Sequence, residues 1–258
     1  MRPALHAEWT KIRTVAGPRW LLLGLVAATV ALSAAATSVV TCASAGCGGD
    51  PTRLSLIGVM LGQALAAILA VLVIGGEYGS GMIRTTLTAM PHRATVFAAK
   101  ATVLTGVVAV AGTAAVLGSL LAGRFLLPRH GFTAARGHPA LSLADGPTLR
   151  ATAGSILYLA LIALLSLGIA AIVRSSATSI GVVLGLLYLL PILSQVIGDP
   201  HWQRRLEQIG PMSAGLAIQA TTDLQSLPLH PWAGLGVTAG WAAAALAAGA
   251  LLLRVRDA

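Results

Sequence analysis

The side chains in this sequence that could do chemistry are few, and the densest group of them is GGEYGSGMIRTTLTAMPHR, residues 75–93, between two long apolar stretches. It offers a carboxylate (Glu77), a phenol (Tyr78), four glycines and two guanidiniums (Arg84 and Arg93). Elsewhere, a phosphate-cradling loop would need G-x-x-x-x-G-K-[ST], yet the only lysines are Lys11 and Lys100, and neither follows a glycine. The six histidines, His6, His92, His130, His138, His201 and His230, are dispersed without an H-E-x-x-H pair. His130 and His138 share one polar loop, where solvated histidines are the expected state, so no metal site is expected. There is no Gly-x-Ser-x-Gly elbow and no pair of carboxylates within one apolar stretch, which argues against a membrane enzyme.

The elements that must position these groups are apolar helices. Hydrophobic residues make up 56% of the 258, charged residues 10%, and mean hydropathy is +0.84. Soluble domains carry about 25% charged residues. The chain therefore reads as an all-α integral membrane protein, one transmembrane unit over residues 1–258. Six stretches approach the ~20 residues that cross a bilayer: Trp20 to Val40, Leu54 to Ile74, Ala101 to Gly123, Thr152 to Val173, Ala177 to Ile197 and Trp232 to Leu253. None contains Asp, Glu, Lys or Arg, and none shows the period-2 alternation of a barrel strand. The first stretch is longer than a cleaved signal's apolar core and is expected to stay as a span. The formal charge of +9 is scattered between spans and forms no stripe, so no nucleic-acid partner is expected.

With the N-terminus inside, ten of the 17 Lys and Arg residues fall on the cytoplasmic side and seven outside. That places both termini, and residues 75–93, in the cytoplasm. Ahead of span one, Leu5, Trp9, Ile12 and Ala16 recur at helical spacing, with Glu8, Lys11 and Thr14 on other faces. Pro3 suits the start of this helix and Gly17 with Pro18 its end, so it should lie in the membrane interface. In residues 75–93 the glycines Gly75, Gly76, Gly79 and Gly81 should end span two. Ser80 can cap a short helix bearing Ile83, Leu87 and Met90 on one side, and Pro91 stops it. So short a helix needs something to dock against.

The segments EWTKIRT (8–14), EYGSGMIRTTLTAMP (77–91) and IGPMSAGLAIQA (209–220), in this order around six spans, resemble permease subunits of type-2, exporter-class ABC transporters, especially small actinobacterial ones. The resemblance covers essentially the whole chain. It implies a coupling helix after span two that touches a separate ATP-binding subunit, with Glu77, Tyr78, Gly81, Ile83 and Arg84 in the matching positions. Trp9, Lys11 and Arg13 match the family's interfacial helix. It also implies a second permease copy or paralogue, and ATP and Mg held by the partner ATPase, with no cofactor in this chain.

The alternative class is a secondary transporter, which would ordinarily carry ionisable residues inside its spans. Here the polar span residues are Gln63, Thr105, Thr113, Ser119, Ser155 and Ser166, expected to hydrogen-bond between helices. Gly181 with Gly185 and Gly236 with Gly240 form G-x-x-x-G pairs, expected to pack within the bundle first, with a dimer seam implied only by the family resemblance. Cys42 and Cys47, just beyond span one on the outer side, are positioned for a small disulfide loop, with free thiols as the alternative. Residues 199–231 place Trp202, Leu206 and Ile209 on one face, which predicts a short helix on the outer surface.

Overall fold

The structure, a computed structural model, describes residues 2–42, 48–79, 93–136, 138 and 141–255. The described chain is all helical, and six helices are long and apolar enough to cross a membrane. In order the elements are α1 (Arg2–Thr14), α2 (Ala16–Val39), α3 (Pro51–Ser55), α4 (Val59–Gly79), α5 (Arg93–Leu126), α6 (Gly146–Val173), α7 (Ser176–Val196), α8 (Pro200–Ile209), α9 (Pro211–Leu216) and α10 (Pro231–Val255). Short 3-10 turns follow α5, α9 and the loop before α10.

The most buried spanning helix is α6, which packs against α10, α4 and α5. Its buried residues Ala151, Tyr158, Leu159, Ile162, Leu165, Ala170 and Ala171 belong to one continuous core with Leu25, Leu69, Ile74, Leu104 and Leu187. Such contact between α6 and α10 requires backbone approach. A Cβ at Gly168 would lie 2.5 Å from the Ala245 carbonyl carbon. The G-x-x-x-G pairs behave otherwise: a Cβ at Gly181, Gly185, Gly236 or Gly240 would meet nothing within 4 Å. The expectation that these pairs pack within the bundle is therefore corrected. Close approach comes from other glycines, each facing a neighbour's backbone, which the four-residue spacing does not report.

Several helix ends differ from the sequence expectation, each for a local reason. The first helix ends at Thr14, not at Gly17 and Pro18; Val15 is extended, and Pro18 falls in the first turn of α2, where its missing N–H costs nothing. Span two is divided. Leu54 and Ser55 belong to α3, a turn follows, and α4 begins at Val59. The turn lies where α2 comes nearest: the Gly58 N–H donates to Ser33 Oγ at 3.1 Å, and a Cβ on Gly58 would collide with the Thr29 carbonyl. At its other end α4 continues through Gly75 and Gly76 to Gly79 instead of stopping there. Gly75 lies against Ser176 at the start of α7, so packing overrides the glycine's weak helix propensity. The third span begins earlier and runs longer than expected, as α5 of 34 residues. Inside α7, Gly185–Leu189 form a π turn ahead of Pro191, which has no N–H for the ladder. Within it Tyr188 donates its hydroxyl to the Met60 carbonyl.

At the end opposite α1, Asp50 caps α3, accepting from the N–H groups of Thr52 (3.1 Å) and Arg53 (3.0 Å). The same carboxylate accepts from Thr221 N–H, from Thr221 Oγ1 at 2.7 Å and from Thr222 N–H at 3.1 Å. The helix expected around Trp202, Leu206 and Ile209 is α8, with Trp202 and Ile209 exposed. The next helix, α9, turns into the bundle, where Met212 and Ala214 are buried and Trp241 Nε1 donates to the Ile209 carbonyl at 2.9 Å. Cys42 is disulfide-bonded; the chain's one other cysteine, Cys47, lies outside the described residues. The polar span residues divide. Gln63 accepts from Tyr158 and Ser155 from Gln219 across elements, whereas Thr105, Thr113 and Ser166 bond back to their own helices.

The glycine contacts generate a paired expectation. Gly168→Ala should destabilise the bundle by about 1–3 kcal/mol through overpacking. Gly181→Ala, with open space at its Cβ, should be neutral or stabilising by up to ~1 kcal/mol. Thermal unfolding in detergent, followed by tryptophan fluorescence, checks both.

Candidate functional site

Burying charge in this chain requires charge of the opposite sign at hand, and four such residues meet at the α1 end of the bundle. Lys100 of α5 is 2% exposed, Glu8 of α1 is 3% and Glu77 of α4 is 6%. The Lys100 ammonium donates to Glu8 Oε1 and Oε2, both at 2.9 Å, and to Glu77 Oε1 at 2.6 Å. Three donors thus meet three acceptors, which is all an ammonium can offer. Lys11 of α1, half-buried, donates to the same Glu77 oxygen at 2.7 Å and to Glu8 Oε1 at 3.2 Å. The cluster contains two acids and two bases and is neutral as a unit.

Its placement follows from helix periodicity. On α5, Phe97, Lys100, Leu104 and Val108 recur on the buried stripe, so the lysine occupies a core position. On α1 the buried residues are Ala4, Glu8 and Ile12. Of the apolar stripe Leu5–Trp9–Ile12–Ala16, Ile12 is buried and Trp9 is 45% exposed, while Glu8, on another face, points into the bundle. The reason is electrostatic. The buried ammonium of Lys100 draws the carboxylate face inward, which a count of apolar residues ignores. Glu8 and Lys100 went unread as functional candidates. One signal marks them: this arginine-rich chain has only two lysines, and both are in the cluster. A compact ammonium fits where a planar guanidinium would not.

The remaining candidates are dispersed. Tyr78 packs against the core, and the guanidinium carbon of Arg174 lies 5.4 Å from its ring centroid. Arg174 itself ends α6 in a left-handed conformation, φ 61°. Arg13 is exposed on the far side of α1 from the cluster. Gly81, Ile83 and Arg84, with the short helix expected around them, lie outside the described residues, 80–92 being among those not described. The cluster nevertheless touches both flanks of that segment, through Glu77 on α4 and Lys100 on α5.

No group of three or more His, Cys, Asp or Glu side chains that could hold a metal ion occurs among the described residues. The His138 ring lies 5.0 Å from that of Phe132, and the His130 carbonyl accepts from the Cys42 N–H at 2.8 Å. A cavity of about 380 Å³ between α1, α2 and α4 opens onto Glu8, Lys11 and Glu77 and is otherwise lined by apolar residues such as Leu21, Leu72 and Val73. Burial lowers the Lys11 pKa, but the hydrogen bond to Glu77 and the charges of Glu77 and Glu8 outweigh it, so the net shift is upward from 10.5. What the arrangement can do chemically is hold: it fastens α1 to the end of α4 and the start of α5, with all three donors of Lys100 used.

No protein-family model matches this sequence, and no curated protein matches it.

Two expectations follow from the cluster. Lys100→Met should destabilise the protein by roughly 3–5 kcal/mol, because it leaves two buried carboxylates facing each other. Adding Glu8→Gln should recover part of that loss, measured by thermal unfolding in detergent. The second concerns pH. The folded-state pKa of Lys11 is raised, so its charged form contributes stability that is fully present below about pH 10.5. That contribution is lost as pH rises through the folded value. The difference in melting temperature between the wild type and Lys11→Met should be constant from pH 7 to pH 9 and shrink above 10.5.

Proposed function

We propose that this chain is the permease subunit of an ABC transporter, embedded in the cytoplasmic membrane with both termini in the cytoplasm. It pairs with a second permease copy or a paralogue and is driven by a separate ATP-binding subunit that holds ATP and Mg. The observation that carries the reading is the buried Glu8–Lys11–Glu77–Lys100 cluster. A partner pushing on residues 80–92 would move two helix ends, and the cluster makes those ends and α1 one rigid unit. Rigid-body rocking of such a unit is how a motion at the membrane surface reaches the spans. The resemblance of residues 8–14, 77–91 and 209–220 to exporter-class permeases points the same way, and export is the direction it implies. Charge, in this reading, serves mechanical transmission.

A second reading is a secondary transporter that works without an ATPase. Burial of Glu77 and Lys100 within α4 and α5 favours it, since intramembrane ionisable groups mark ion paths. Against it, the four charges pair with one another and lie at one end of the bundle, three residues or fewer from the end of α4 in the case of Glu77.

Purification of the tagged chain in mild detergent from its native host should recover an ATPase with a phosphate-binding loop. Recovery without one, together with transport driven by an ion gradient alone, would favour the second reading. In the purified complex, Glu77→Gln and Arg84→Ala should each leave the permease inserted while substrate no longer stimulates ATP hydrolysis. Wild-type transport and normal stimulation in both variants would refute the coupling role of this segment.

A further inference from the structure

The two acids at the α1 end are consumed by the two lysines, and this leaves Arg13 on the other side of α1 and Arg19 at the start of α2 without a carboxylate partner among the described residues. Arg13 and Arg19 are both exposed, and neither takes part in an ion pair among the described residues. Arg19 donates Nε to the Val15 carbonyl at 3.4 Å and Nη2 to the Thr14 carbonyl at 3.3 Å, which holds its guanidinium at the α1–α2 junction. Further donors of that guanidinium remain for an external acceptor.

Below these arginines runs a groove of about 780 Å³ between α2 and α5, lined on one side by Leu22, Leu23 and Val26 and on the other by α5 residues from Val103 to Ala114. Its floor is open. A Cβ at Gly106 would meet nothing within 4 Å, and Val110 is 74% exposed. At 1.5 Å per residue, Val103 to Ala114 spans about 16 Å, close to half of a ~30 Å hydrocarbon core. The groove is thus one leaflet deep, cationic at the headgroup end and apolar along the rest. Trp9 lines its mouth, at the depth where interfacial tryptophans sit.

We propose that this groove binds one anionic phospholipid, its phosphate held by Arg13 and Arg19 and an acyl chain laid between Leu22, Val26, Val107 and Val110. The depth and the two unmatched cations select a lipid. A second copy docking through this same face about a two-fold axis would bring the arginines of both copies into an interface whose groove lining carries no acid to meet them. The site does not depend on which transport reading holds.

Native mass spectrometry of the detergent-purified chain, titrated with phosphatidylglycerol or phosphatidylcholine of identical acyl chains, tests it. Phosphatidylglycerol should give a one-lipid adduct at a concentration roughly tenfold or more below phosphatidylcholine, in line with the attraction of two cations to one anionic headgroup. Arg13→Gln combined with Arg19→Gln should abolish that preference. Gly106→Leu, which fills the floor without altering charge, should weaken binding of both lipids. Equal occupancy by the two lipids in the wild type would overturn the proposal, whatever the variants do. So would binding unaffected by Gly106→Leu, displacement of the lipid by soluble glycerol phosphate alone, or disulfide cross-linking of two Gly106→Cys chains through this groove in vesicles.

Discussion

An ammonium taken out of water must find its acceptors in the protein, and in this structure that requirement fixes one whole end of the molecule. Lys100 lies on the core stripe of α5, where an unpaired charge would cost several kcal/mol. Only carboxylates carried by other helices can offset it, so α1 must come down with Glu8 inward and α4 must extend past its apolar portion to deliver Glu77. The inward face of α1 at Glu8 and the reach of α4 to Glu77 both answer to one buried cation. The exposed face of α1 follows too, since a helix that turns Glu8 inward leaves Arg13 exposed on its opposite side.

The six spans were legible in the sequence because hydrocarbon thickness sets a length and water-free surroundings set a composition, and both can be read without knowing any neighbour. The helix ends were less so. Gly75 and Gly76 read as a stop, yet α4 continues through both: Ser176 packs where the side chain of Gly75 would be, while a Cβ at Gly76 would meet nothing within 4 Å. Leu54 read as span two, yet the capping power of Asp50 with Pro51 begins a separate short helix, and contact with α2 breaks the chain at Gly58.

Of the site, Glu77 was visible as an acid near a membrane edge that calls for a cation, with Arg84, or Lys11 and Arg13, on offer in the sequence; the structure supplies Lys11 and Lys100. Glu8 and Lys100 were not visible. Assigning Glu8 to the polar face assumed that polarity points to water, an assumption that fails when a buried opposite charge is the stronger partner. The G-x-x-x-G spacing misled for a related reason. In a chain this rich in alanine and glycine the motif recurs by chance, and what decides close packing is which glycine faces a neighbour's backbone.

The Asp50 carboxylate joins parts of the chain 171 residues apart. A polytopic protein is made from its N-terminus, so when Asp50 is first made only the cap of its own short helix is there to bind it. Thr221 and Thr222 follow only after α4, α5, α6 and α7. Until then α2 and α3 lack their tie to the segment leading into the last span. The contact therefore closes late: a chain truncated before residue 221 keeps the cap of α3 but loses the link that Asp50 makes between distant parts of the sequence.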